Sequence, residues 1–120
     1  MSISNYGELA FLETLRNTSF AVAAPYVKLH LGDPGETGTA NAAAETTRKA
    51  ITFSAASAGS MASSATVTWT NVSNTETYSH WSMWDASTAG NCLWSGAFSS
   101  SAAVTAGDTF QITSLTLTLD

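Results

Sequence analysis

Leu9, Leu12 and Leu15 recur at helical spacing, with Phe11 beside them. Asn5 stands where a helix cap is needed, and Glu8 three residues later completes a capping box. Arg16 falls in the last turn, where a cation complements the helix dipole, and Asn17, Thr18 and Ser19 end the segment. The spacing predicts one N-terminal helix over residues 4–17. At about three turns it is too short to stand alone in water. Its leucine stripe is expected to dock on the rest of the domain or on a partner.

After Pro25 the period drops to about two residues. Val27, Leu29 and Leu31 alternate with Tyr26, Lys28 and His30, as in a half-buried strand. Residues 32–47 have no period and carry the turn formers Gly32, Asp33, Pro34, Gly35, Gly38 and Asn41. Such a stretch is long for a compact domain, so it is expected to have a job or to meet a neighbour. Alternation resumes at residues 48–54, with Ile51 and Phe53 on one face. At 64–70 it puts Val67 and Trp69 inward and Thr66, Thr68 and Thr70 outward.

Residues 77–85 make the most aromatic strand. Trp81 and Met83 share one face; Tyr78, His80 and Trp84 share the other. Both faces are too apolar for water, which predicts a central strand, or one covered by the helix or by a neighbouring subunit. After a Gly-containing turn at 86–91, residues 92–98 pair back, with Trp94 and Phe98 on one side. A tight turn at Ala106, Gly107 and Asp108 precedes Phe110, Ile112, Leu115, Leu117 and Leu119, which make two last strands or one strand bulged at Ser114. Thr116, Thr118 and Asp120 then face solvent.

About six to eight short strands with regularly spaced turns predict a mainly β chain. The expected architecture is an antiparallel β-sandwich or jelly-roll-like domain with one short N-terminal α-helix. No fixed-period repeat and no linker divides the chain. Residues 1–120 therefore read as a single domain, with the helix at 4–17 and the sandwich at 26–120.

Composition narrows the function classes. Of the 120 residues, 17 are Ser, 18 Thr and 20 Ala, against four basic and nine acidic side chains and a formal net charge of −5. Four basic residues cannot coat a phosphate backbone, so no nucleic-acid partner is expected. No apolar run approaches the roughly 18 residues of a membrane span, so no membrane partner is expected either. The N-terminus has no positive charge and no apolar run, which reads as a chain without a secretion signal. Cys92, beside Leu93 and Trp94, reads as a buried, inert thiol.

The chemistry-bearing residues form no catalytic signature. His30 and His80 sit mid-strand, no Gly-x-Ser-x-Gly elbow is present, and Asp33 and Glu36 lie on a loop that reads first as a turn. Non-enzymatic work is the expectation. Asp33, Glu36 and Glu45 do not match a calcium-loop spacing, so no metal and no cofactor are expected. Glycine at every third position from Gly32 to Gly38 is formally collagen-like but far too short for a triple helix. Four tryptophans raise the possibility of sugar stacking. Trp69, Trp81 and Trp94 alternate in step with core positions, which leaves Trp84 as the candidate glycan contact. A carbohydrate-binding module using an exposed Trp84 is thus the second reading.

The order of the pieces carries a resemblance. A Leu-rich helix leads to Pro25-Tyr26-Val27-Lys28-Leu29-His30-Leu31-Gly32-Asp33-Pro34, then Gly38-Thr39-Ala40-Asn41 and a basic residue before Ala50-Ile51-Thr52-Phe53. Ala65-Thr66-Val67-Thr68-Trp69, Thr77-Tyr78-Ser79-His80-Trp81 and Trp84-Asp85-Ala86-Ser87-Thr88-Ala89-Gly90-Asn91 follow. Gly96-Ala97, Val104-Thr105-Ala106-Gly107-Asp108-Thr109 and Leu115-Thr116-Leu117-Thr118-Leu119-Asp120 close the chain. The set resembles small virion proteins of tailed bacteriophages, of the tail-fibre or minor tail type, with similar modules serving as capsid decoration. The chain departs from that pattern at Gly32 and at Ala42-Ala43-Ala44, both in the long loop.

The resemblance implies a non-enzymatic structural protein, made in the bacterial host cytoplasm and displayed in multiple copies on the virion exterior. Its partners would be other capsid or tail proteins and further copies of itself, a trimer being one suitable symmetric form. The helix residues Leu9, Leu12 and Leu15 and the loop residues Asp33, Pro34, Glu36 and Asn41 are the candidate subunit contacts. They are the parts a self-contained sandwich leaves unexplained.

Overall fold

Strand alternation, interrupted where one chain bulges, builds two layers around a shared core. A computed structural model describes residues 1–119; Asp120, expected on the solvent face, lies outside the described residues. In chain order the elements are β1 (Ser2–Ile3), α1 (Asn5–Glu13) with a 3-10 turn over Thr14–Arg16, β2 (Tyr26–His30), β3 (Lys49–Ala50), β4 (Ser60–Ala62), β5 (Val67–Trp69), β6 (Glu76–Trp84), β7 (Cys92–Val104), β8 (Phe110–Ile112) and β9 (Thr116–Thr118). The chain is mainly β, with antiparallel pairing throughout and the expected short N-terminal helix.

A five-stranded sheet in the order β1-β7-β6-β2-β3 forms one layer. β6 is central, as its two apolar faces require. The ribbons β4-β9 and β5-β8 form the other layer. Val27, Leu29, Trp81, Met83 and Trp94 of the large sheet share one buried cluster with Val67, Trp69, Ile112, Leu115 and Leu117. That cluster supplies the hydrophobic driving force for closing the layers. The molecule is elongated, 47 × 26 × 23 Å.

Several local expectations are corrected. The α-helix covers Asn5–Glu13 and tightens into the 3-10 turn, so it is shorter than residues 4–17. Asn17, at φ 62°, ends it in the left-handed conformation. The cap is Ser4 and not Asn5: Ser4 is extended, and its Oγ accepts the Gly7 N–H at 3.0 Å. The same hydroxyl donates to the Cys92 carbonyl of β7, so this cap also moors the helix, which an Asn5 cap would not. Leu31 and Leu119 are exposed, just beyond the ends of β2 and β9: their N–H groups still bond to the Asn41 and Gly59 carbonyls, but their side chains are not covered.

Tyr78 joins Trp81 and Met83 in the core although strict alternation puts it on the opposite face. The register explains this. Tyr78 pairs with Ala102 and His80 with Ala97, so Ser79 alone faces four β7 residues, 98–101. An irregularity of this kind re-aims neighbouring side chains.

Candidate functional site

Glycine at position 7 lets the helix approach the sheet closely. A Cβ there would lie 2.7 Å from the Leu93 carbonyl oxygen and 2.9 Å from Ile3 Cγ2. The Ser4 N–H donates to that same Leu93 oxygen at 3.1 Å. Phe11 packs edge-on against Phe20 at 5.6 Å, and Tyr6 against Phe20 at 6.3 Å. With Gly7 inward, the leucine stripe points away from the domain. Leu9, Leu12 and Leu15 are 64%, 63% and 85% exposed. Of the two expected docking places, the rest of the domain or a partner, the domain itself does not cover these leucines. The helix is only weakly amphipathic, Gly7 being its one buried residue, and a helix moored through glycine can turn its leucines outward.

The long loop adjoins this helix. The Asn5 N–H donates to the Glu36 carbonyl at 3.2 Å, so the helix start and the loop tip form one continuous surface. Asp33 Oδ1 accepts the Gly35 N–H at 2.9 Å, and Asn41 Nδ2 donates to the Asp33 carbonyl at 2.9 Å. The Leu31 N–H to Asn41 carbonyl bond and the Ala43 N–H to Leu29 carbonyl bond lay the loop's second half beside β2. Asp33, Glu36 and Asn41 are exposed. Pro34 is fully buried within the chain and presents no contact surface, a correction to its inclusion beside them. Its ring packs inward because the loop folds back on the sheet.

Residues 2–120 match a family described as podophage GP4 fiber I protein gp80. The chain belongs to this family. No curated protein matches it. The fibre family makes it a structural component of a tailed-phage virion, associated with other virion components. The resemblance read from the ordered motifs is thus borne out over nearly the whole chain.

In this fibre-family protein the long loop also has an internal role that the sequence pattern did not reveal. It covers the second face of the large sheet, where the helix or another subunit was the expected cover. A Cβ on Gly38 would fall 2.9 Å from Cys92 Cβ and 3.1 Å from Trp84 Cζ2. His30, fully buried, bonds through Nδ1 to the Ala40 carbonyl at 2.8 Å and through Nε2 to Ser82 Oγ at 2.7 Å. Burial is the main cause that holds its pKa below the ordinary value. Burial likewise raises the Cys92 thiol, in keeping with an inert side chain.

Trp84 is not open for stacking. It is 7% exposed, its Nε1 donates to Ser82 Oγ at 2.7 Å, and the Arg48 guanidinium carbon lies 4.0 Å from its ring centroid. Arg48 is fixed over the ring by donating to the Ala86 and Ala89 carbonyls at 2.9 and 2.7 Å. The exposed indole on which the second reading relied is therefore covered by a cation from a distant segment. Glu45 is buried and accepts the Ser73 N–H at 3.2 Å, a structural use of its carboxylate. Among the described residues no three His, Cys, Asp or Glu side chains gather to hold a metal.

Proposed function

We propose that this chain is a non-enzymatic tail-fibre component, displayed in multiple copies on the particle exterior, whose copies meet through the helix ridge and the adjoining loop tip. The observation that carries this reading is the exposure of Leu9, Leu12 and Leu15 on a helix already moored at Ser4 and Gly7. Burying one such side chain contributes roughly 1.5–3 kcal/mol. A ridge of three therefore favours a permanent neighbour. Asp33, Glu36 and Asn41 are exposed on the loop that meets the helix start at Asn5, and they add polar groups to the surface offered to a neighbour. A symmetric closed oligomer of the trimer type uses each ridge once per interface. The buried His30 spends both ring nitrogens on internal hydrogen bonds, which supports a structural role for this fully buried titratable side chain.

The test is to place and count the protein on the particle. Gel densitometry and cryo-electron microscopy of intact virions should find a few copies per tail, and antibody to the chain should label particles and block adsorption. Hundreds of copies spread over the head would overturn the tail-fibre placement. A monodisperse monomer whose antibody leaves particles unlabelled would overturn the reading altogether.

A further inference from the structure

An apolar trough borders the helix on the side that faces the sheet. Two cavities of about 300 and 190 Å³ make it, and they share Phe11, Met61, Trp94 and Leu117 as walls. Buried Trp94 of β7 forms the floor. Phe11 of the helix, with Phe20 and Val22 from the segment after it, makes one bank. Met61 of β4 and Leu119 make the other. Phe11 at 41% and Leu119 at 50% exposure leave the rim open to solvent. Among the described residues no side chain lining either cavity carries a charge, and Ser60 supplies the single hydroxyl.

We propose that this trough receives the leucine ridge of a second copy of the chain, so that copies join head to tail. The inference rests on the meeting of copies through the ridge. One chain carries both halves of the fit: a convex apolar ridge that its own domain leaves uncovered, and a concave apolar trough that its own side chains leave unfilled. An apolar projection that fits an apolar pocket elsewhere on the same molecule makes a heterologous contact. At 3.6 residues per turn, Leu12 and Leu9 stand about 140° and 160° around the helix from the inward Gly7, whereas Phe11 stands about 40° from it. Ridge and trough therefore lie on opposite sides of the helix, and no single face presents both. A two-fold pair needs the same patch on both copies and cannot seat both ridges at once. A ring can, because each copy gives its ridge to one neighbour and its trough to the other. Charge favours the same arrangement. Each copy carries a formal net charge of −5, so contact through acidic surface is opposed. The trough lining is uncharged among the described residues, and Glu13 beside the ridge is already paired with Arg16 at 2.9 Å.

The experiment mixes two defective versions of the full-length chain. The ridge version carries Leu12→Ser with Leu15→Ser. The trough versions carry Val22→Glu in the larger cavity or Ala56→Glu in the smaller. Ala56 is exposed, so its variant reads association without loading the core. In analytical ultracentrifugation each version alone should self-associate about tenfold more weakly than the native chain, or not at all. A ridge version mixed with a trough version should form a one-to-one pair and nothing larger, because the mixture holds one intact trough and one intact ridge that match. If both trough versions associate like the native chain while the ridge version does not, the trough is not the receptor, although the ridge reading stands. If the mixture stays monomeric, head-to-tail seating is overturned. If the ridge version associates like the native chain, the ridge reading falls with it.

Discussion

His30 Nε2 lies 2.7 Å from Ser82 Oγ, and that contact sets the direction of a buried proton chain. The Ala40 carbonyl can only accept, so His30 Nδ1 carries the hydrogen and Nε2 accepts from the Ser82 hydroxyl. The Ser82 oxygen in turn accepts from Trp84 Nε1. Neutral imidazole satisfies every member. A second proton on His30 would point at an oxygen that already accepts from Trp84, and Ser82 would lose the acceptor for its own hydrogen.

Stability should therefore fall on mild acidification. Desolvation, the main cause, places the folded pKa of His30 below its ordinary 6.5, and Lys28 and His80 oppose its charging as well. Below about pH 6.5 the unfolded chain binds a proton that the folded chain resists, so stability declines as pH drops and levels off beneath the folded pKa. Urea unfolding at pH 8, 6.5 and 5 should show a falling midpoint. His30→Gln should flatten that decline while costing about 1–3 kcal/mol at pH 8. A native midpoint unchanged from pH 8 to 5 would contradict the assignment.

Gly7→Ala should loosen the helix. The new methyl would meet the Leu93 carbonyl at 2.7 Å, and a backbone oxygen cannot swing aside as a side chain can. The expected loss is about 1–3 kcal/mol, despite the better helix propensity of alanine. Hydrogen exchange should speed up at Ser4 and Asn5, whose N–H groups hold the helix to Leu93 and Glu36. Unchanged exchange there, with unchanged stability, would refute the close-approach argument.

These two sites also mark where the sequence was readable. Alternation is physically enforced where one strand face meets the core, so Val27 with Leu29 and Val67 with Trp69 were legible. The helix was legible from its leucine spacing, but spacing cannot say which side docks; the small Gly7 did. Tyr78 was placed on the opposite face because nothing in Phe98-Ser99-Ser100-Ser101 announces a register slip. Trp84 and His30 owe their burial to Arg48 and to the loop at residues 38–43. Such covers form between segments remote in sequence, where periodicity carries no information. The family resemblance was readable because it rested on order along the chain, which needs no knowledge of contacts.

Arg48→Lys should uncover Trp84 even though it keeps the charge. The guanidinium carbon lies 4.0 Å from the indole centroid while Nη1 reaches both carbonyls, and a lysine, with its charge on one nitrogen, cannot hold that nitrogen at the carbonyls and also lay a planar cation over the ring. A loss of about 1–2 kcal/mol is expected. Tryptophan emission should shift to the red and quench more readily with acrylamide, and the Trp84→Phe background should remove that difference. Native-like emission in Arg48→Lys would show that the cover does not depend on the planar fork.

Leu12→Ser and Leu15→Ser should separate assembly from folding. Both side chains are more than half exposed and the helix is held through Ser4, Gly7 and Phe11, so monomer stability should change by no more than about 0.5 kcal/mol. Association should respond in the opposite manner, because each serine removes apolar area from the centre of the proposed interface. Light scattering coupled to size exclusion should show the native chain as an oligomer and the double variant as a monomer with an unchanged melting midpoint. If the double variant keeps the native mass, the ridge is not where copies meet. If it instead melts early, the leucines support the domain itself, and their exposure has been misread as an interface.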